Sequence, residues 1–147
     1  MELVFDIETD DLNATEIHCI VAIDENDKQY TFDIIDNNID EGISFLSKAT
    51  KLIGHNIIGF DIPVIKRLHK VDLWNKDKVI DTLVLSRLLN PVREKGHSLE
   101  VWGNKLGVLK SQPPEDFTVY TKDTLKYCIQ DVVLNKLLFE ALKEQSV

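Results

Sequence analysis

Polar and apolar residues alternate from Glu2 to Glu8, so that Leu3, Phe5 and Ile7 fall on one face of a strand and Val4, Asp6 and Glu8 on the other. Two further runs, Glu16 to Ile23 and Lys28 to Ile34, are rich in β-branched and aromatic residues. The turn residues Asp24-Glu25-Asn26-Asp27 separate them, which predicts a hairpin and three successive antiparallel strands. The period then lengthens. Asn38 is placed to cap a helix with Asp40 and Glu41 in its first turn and Ile43, Phe45 and Leu46 among its apolar positions, ending near Thr50. Lys51 to Gly54 reads as a short buried strand, Phe60 to Lys70 as a helix with Pro63 in its first turn, and Lys78 to Ile80 as another short strand. Asp81 to Leu89 is helical and stops before Asn90-Pro91, and Ser98 to Leu106 is a helix with Gly107 just past its end. Pro113-Pro114 make residues 111–121 a loop. The longest helix runs from Lys122 to about Glu144. The order βββαβαβααα predicts an α/β domain with a mixed sheet.

At 147 residues, the chain has the size of a single domain, residues 1–147, with one core. No apolar stretch approaches the ~20 residues of a bilayer span, and the first ten residues lack the basic start of a secretory signal, so no membrane role and a cytoplasmic location are expected. Cys19 and Cys128 lie far apart within apolar segments and read as reduced core residues. The formal net charge of −8 argues against tight, backbone-gripping nucleic-acid binding. The charge is uneven: residues 1–61 hold 14 acids and 3 bases, residues 62–111 hold 5 acids and 10 bases. An acidic centre facing cations and a basic rim facing an anionic chain fit this asymmetry, although solvated lysines explain the basic stretch equally simply.

Three groups of carboxylates stand out. Asp6 and Glu8, at i and i+2 on a strand, project to the same side roughly 7 Å apart and can share a cation. Their segment is too apolar to be an ordinary solvated edge. Asp61 sits between a short strand and a helix, where it needs no function beyond capping. Asp131 lies inside the last helix, where an unpaired buried carboxylate is costly. Tyr127, four residues earlier, shares its face.

Asp-x-Glu on strand one, an Asp after a later strand and Tyr-x₃-Asp on the last helix together resemble the 3′-to-5′ exonucleases that use four carboxylates and a tyrosine, the DEDDy type. The segments FDIETDDL (5–12), GHNIIGFD (54–61) and YCIQDVV (127–133) carry the likeness. It is nearest the proofreading exonuclease domain of bacteriophage family A DNA polymerases, which VIDTLVLSRLLNP (79–91) and GHSLEVWGNKLG (96–107) also resemble. The sister branch has a histidine five residues before the last aspartate; Lys126 stands there, and Tyr127 assigns the tyrosine branch.

The resemblance implies an RNase H-like sheet, three antiparallel strands followed by two parallel ones, with helices on both faces. It implies two divalent metal ions, Mg²⁺ or Mn²⁺, since hard oxygen ligands without a Cys or His cluster do not favour zinc. Asp6 would bridge both ions, Glu8 and Asp131 would complete the first site and Asp61 would hold the second. Tyr127 would orient the attacking water with help from Glu8. Thr9, Leu12 and Asn56 match positions around the 3′-terminal nucleotide. Separately, Arg93, Lys95 and His97 form a basic loop suited to upstream phosphates. The implied substrate is a single-stranded or frayed DNA 3′ end. The acidic charge predicts a weak grip on that end, so a separate DNA polymerase or a single-strand-binding protein is expected to deliver it. A 3′-to-5′ exoribonuclease is the nearest enzyme alternative, and a non-catalytic polymerase-docking module the nearest non-enzyme one. A phospho-receiver requires alternating β and α elements, whereas this chain opens with three strands.

Overall fold

In the computed structural model, which describes residues 1–146, strand β1 (Glu2–Thr9) runs between an antiparallel partner, β2 (Ile17–Asp24), and a parallel one, β4 (Lys51–Gly54). β3 (Gln29–Asp33) pairs antiparallel with β2, and β5 (Val79–Asp81) pairs parallel with β4, giving the order β3-β2-β1-β4-β5. Two antiparallel pairings followed by two parallel ones are the sheet the sequence predicts.

A central strand buries both faces, and the alternation in β1 sorts its side chains accordingly. Leu3, Phe5 and Ile7 join Ile20, Ala22 and Leu52 under helices α1 (Ile39–Ser47) and α2 (Ile62–His69), which contribute Ile43, Leu46 and Ile65. On the opposite face, Val4 packs with Cys19, Val21, Ile53 and with Cys128, Val132 and Phe139 of α5 (Lys122–Gln145). Helices α3 (Thr82–Leu89) and α4 (Leu99–Leu106) lie against α5 around the buried Trp102. Its indole N–H donates to Ser86 Oγ at 2.8 Å.

Three local expectations change. Asn38 does not cap α1; its Oδ1 accepts the Asp33 N–H at 2.8 Å, closing the turn out of β3 instead. The helix expected from Phe60 begins at Ile62, preceded by a π-helical turn, Ile57–Asp61. Asp61 therefore caps no helix N-terminus: its Oδ2 accepts the Ile7 N–H at 3.3 Å, joining this turn to β1. The turn packs so closely that a Cβ on Gly54 would stand 2.3 Å from Ile57 Cγ2, which only glycine avoids.

Asp81 holds this region. Its buried carboxylate accepts the N–H groups of Asn56 (2.8 Å), Ile58 (3.0 Å) and Leu83 (2.9 Å), so it pins the segment after β4 and caps α3. Asp81→Ala would orphan three donors, with a cost of about 3 kcal/mol. Urea unfolding is expected to show a free energy of unfolding lower by that amount, with Asp81→Asn intermediate; an alanine variant as stable as the parent would mean the segment holds itself.

Candidate active site

β1 carries Asp6 and Glu8 toward α5, the π-helical turn carries Asp61 against Ile7, and α5 presents Tyr127 and Asp131 one turn apart. All five line one cavity of about 470 Å³, together with Thr9, Leu12 and Asn56. A register shift between Glu8 and Thr9 ends the regular pairing with β2 and opens the strand end that leads to Leu12, which is 88% exposed. The intervening loop is tied by Asp10, which accepts the N–H groups of Thr15 and Glu16 and the Thr15 hydroxyl. Asn56 adopts a left-handed conformation (φ 59°) and is exposed at the cavity rim.

The acids are electrostatically strained. Burial, aided by the nearby Asp61, Glu8 and Asp131, raises Asp6 well above the carboxylate range. Burial, with Asp131 and Asp61 nearby, pushes Glu8 up to about 8. Asp61, raised to about 7 by burial, is partly relieved by its bond from Ile7, and Asp131, raised to about 6 by burial, is partly relieved by Lys110. Asp131 Oδ1 is buried and accepts no hydrogen bond from the described residues. Clustered, under-neutralised hard oxygen donors fit divalent cations. Asp6, Glu8 and Cys128 each offer a ligand atom within 4.8 Å of the others among the described residues. Asp61 and Asp131 stand around this group in the same cavity.

Several neighbours carry no signal that the sequence motifs reveal. Lys110 lies 3.5 Å from Asp131 Oδ1 and 4.9 Å from the Tyr127 ring centroid, from a loop without periodicity. Phe117 meets Tyr127 edge-on at 5.7 Å between centroids; an aromatic in a polar, proline-bearing loop is the one clue to it. Cys128 is buried and free as expected, but it approaches the site, with Sγ 3.6 Å from the Asp6 carbonyl oxygen and 3.8 Å from Asp6 Oδ2. Burial keeps its thiol protonated. His55, also on the cavity wall, shares a 2.9 Å hydrogen bond with Thr82 Oγ1, and burial lowers it to about 4, so it is neutral at physiological pH.

Arg93 and Lys95 do not line the acidic cavity. They border a separate shallow groove with Asn104 and Lys105. The Arg93 guanidinium lies 3.8 Å over the Trp102 ring and its Nε donates to Gly96 O, so it is engaged in building its own loop. His97 Nδ1 is 2.6 Å from Ser86 Oγ and likewise ties the loop to α3.

A mixed five-stranded sheet with carboxylates gathered on its central strand is the architecture of RNase H-like nucleases, and residues 3–113 match the RNase H superfamily, to which the chain belongs. Within that superfamily, the chain is similar to part of phage DNA polymerases. It is 28% identical to the DNA-directed DNA polymerase of Enterobacteria phage T3 over 95% of this chain and 26% of that one, so it spans about a quarter of that polymerase. Among solved structures it is similar to a nuclease in its apo form (TM-score 0.79, 21% identity, 98% of this chain and 72% of that one). It is also similar to Brucella melitensis NrnC bound to pGG (TM-score 0.77, 19% identity, 98% and 72%). No helix among the described residues is long and apolar enough to cross a membrane.

Proposed function

We propose that this chain is a 3′-to-5′ exonuclease acting on single-stranded or frayed DNA ends, with Asp6, Glu8, Asp61 and Asp131 holding two divalent cations, Mg²⁺ or Mn²⁺. The observation that carries this reading is the convergence of four carboxylates and Tyr127 on one cavity. Bound there, such ions supply a nucleophilic water at neutral pH and neutralise charge at the scissile phosphate.

The chain's own residues prepare the reaction. The Ile7 N–H holds the Asp61 carboxylate, and Asp6 stands on the central strand beside the Cys128 thiol, so the acids are positioned before substrate arrives. Tyr127, kept protonated by burial, orients the attacking water through its hydroxyl, with Glu8 assisting. Thr9, Leu12 and Asn56 take the terminal nucleotide, with Leu12 as an apolar wedge against its base. Of the basic loop, Lys95 in the separate groove is the residue left to meet phosphates farther along the strand, since Arg93 is held by Trp102 and Gly96. An acidic chain neutralises few phosphates, so delivery of the 3′ end by a DNA polymerase or a single-strand-binding protein completes the reading.

A time course with a 5′-labelled DNA strand, a matched RNA strand, and Mg²⁺, Mn²⁺ or chelator tests it. A ladder shortening from the 3′ end of DNA is expected with either ion and none with chelator. Degradation of RNA alone would reassign the substrate, and activity surviving exhaustive chelation would remove the metal reading.

Tyr127→Phe is expected to lower the rate by ~10- to 10³-fold with Mn²⁺ affinity unchanged, because a water-orienting phenol contributes position and not charge. Calorimetry beside single-turnover kinetics checks this, and matched losses of binding and rate would make the residue structural.

A further inference from the structure

Lys110 stands between two cavities. Its ammonium is 3.5 Å from Asp131 Oδ1, a buried oxygen that accepts no hydrogen bond from the described residues, in a residue 5% exposed. The backbone beside it is fastened: Leu109 O accepts from Gln130 Nε2 of α5 at 2.8 Å. The four-carbon stem is thus the movable part. Tyr127, over whose ring the ammonium lies, lines the acidic cavity on one side and a second cavity of about 400 Å³ on the other. That second cavity is bordered by Lys110 itself and by Glu100, Asn104, Ser111 and Gln112, so a carboxylate and several polar groups are available to an ammonium that leaves Asp131.

We propose that Lys110 is a tethered counter-ion that competes with a divalent cation for Asp131 and retreats past Tyr127 toward Glu100 when the cation binds. This rests on the metal-binding reading of the acidic cavity. A cation on Asp131 and an ammonium 3.5 Å from the same oxygen would repel each other strongly at the dielectric of a half-buried site. One carboxylate oxygen therefore serves one of them at a time. Before loading, the ammonium offsets part of the repulsion among Glu8, Asp131 and their neighbours; afterwards its work there is done by the cation. The arrangement lowers affinity for the ion and in return keeps the acids assembled, and it links metal occupancy to the segment between α4 and α5.

Calorimetric titration of the full chain with Mn²⁺, at fixed pH and ionic strength, tests the idea. Lys110→Met is expected to bind Mn²⁺ roughly tenfold more tightly or better, while Lys110→Arg, which retains the charge, stays near the parent. Glu100→Gln is expected to bind severalfold more weakly, since the displaced ammonium loses its acceptor. In metal-free buffer at pH 8, Lys110→Met should melt at lower temperature than the parent. Unchanged or weaker Mn²⁺ binding by Lys110→Met overturns the competition. Should that variant not fold, Glu100→Gln decides: an affinity equal to the parent's overturns the retreat of the ammonium. A parent chain that takes up no Mn²⁺ would be a different failure, that of the metal reading itself.

Discussion

Asp6→Asn is expected to lower 3′-to-5′ exonuclease activity by ~10³-fold or more while leaving the metal-free protein as stable as the parent or more so. The first effect follows from position. Asp6 is the carboxylate on the central strand that faces Asp61, Glu8 and Asp131 together, so its loss removes the charge common to the whole cluster. A thousandfold is about 4 kcal/mol of barrier, the scale of losing one metal's charge stabilisation. The second effect follows from strain. Burial and three acidic neighbours hold Asp6 far above its ordinary range, so at neutral pH the fold keeps it protonated while the unfolded chain ionises, which costs stability. Asparagine keeps the volume beside Cys128 without that cost. Single-turnover kinetics and thermal unfolding in chelator check both halves. A variant that keeps its activity would remove Asp6 from the reaction, and one that melts several degrees lower would make it a structural residue.

The metal-free protein is expected to lose stability as pH rises from about 4 to about 8, and divalent ions to restore it increasingly over the same range. The sign follows from the raised values of Asp131 (about 6), Asp61 (about 7) and Glu8 (about 8). Below pH 4 these groups are protonated whether the chain is folded or not. Above it the unfolded chain ionises first and is favoured, until each folded group ionises in turn and the slope levels off. Within its window one such group contributes up to about 1.4 kcal/mol per pH unit, so Asp131 alone, over the roughly two pH units up to about 6, already makes a several-degree effect in a domain of this size. Asp10 and Asp24 are lowered and act in the opposite sense, at pH values below this window. A cation that binds the folded acids alone adds RT ln(1 + [L]/Kd), about 2.7 kcal/mol at a hundredfold excess over Kd. Melting curves at pH 5, 6, 7 and 8, with chelator and with Mg²⁺ or Mn²⁺, check it. A metal-free melting temperature flat across that range would show that the acids are not held protonated in the fold.

Strand and helix periods were readable because they report burial directly. β1 alternates with its two buried faces, β2 and β3 are marked by the Asp24 to Asp27 turn, and α5 begins where Thr121 and Thr124 cap each other's backbone groups. Local hydrogen bonding was less readable, since competing partners decide it. Asn38 is a good cap, yet its oxygen is taken by the Asp33 N–H. Asp61 is an equally good cap in sequence, yet the π-helical turn directs it to Ile7, 54 residues away.

The order of motifs along the chain therefore determined the superfamily, the mixed sheet and the set of Asp6, Glu8, Asp61, Tyr127 and Asp131, because each is encoded in a few neighbouring residues and their pattern. The tertiary structure alone decided what surrounds that set. Asp81 anchors the segment before Asp61 through two backbone donors and caps α3 through a third, Cys128 comes from α5 to lie against Asp6, and Lys110 reaches Asp131 across a loop. Arg93, a free basic residue in sequence, is spent on the Trp102 ring. These contacts join residues from different elements, and their energies depend on distance and burial, which periodicity and composition do not encode.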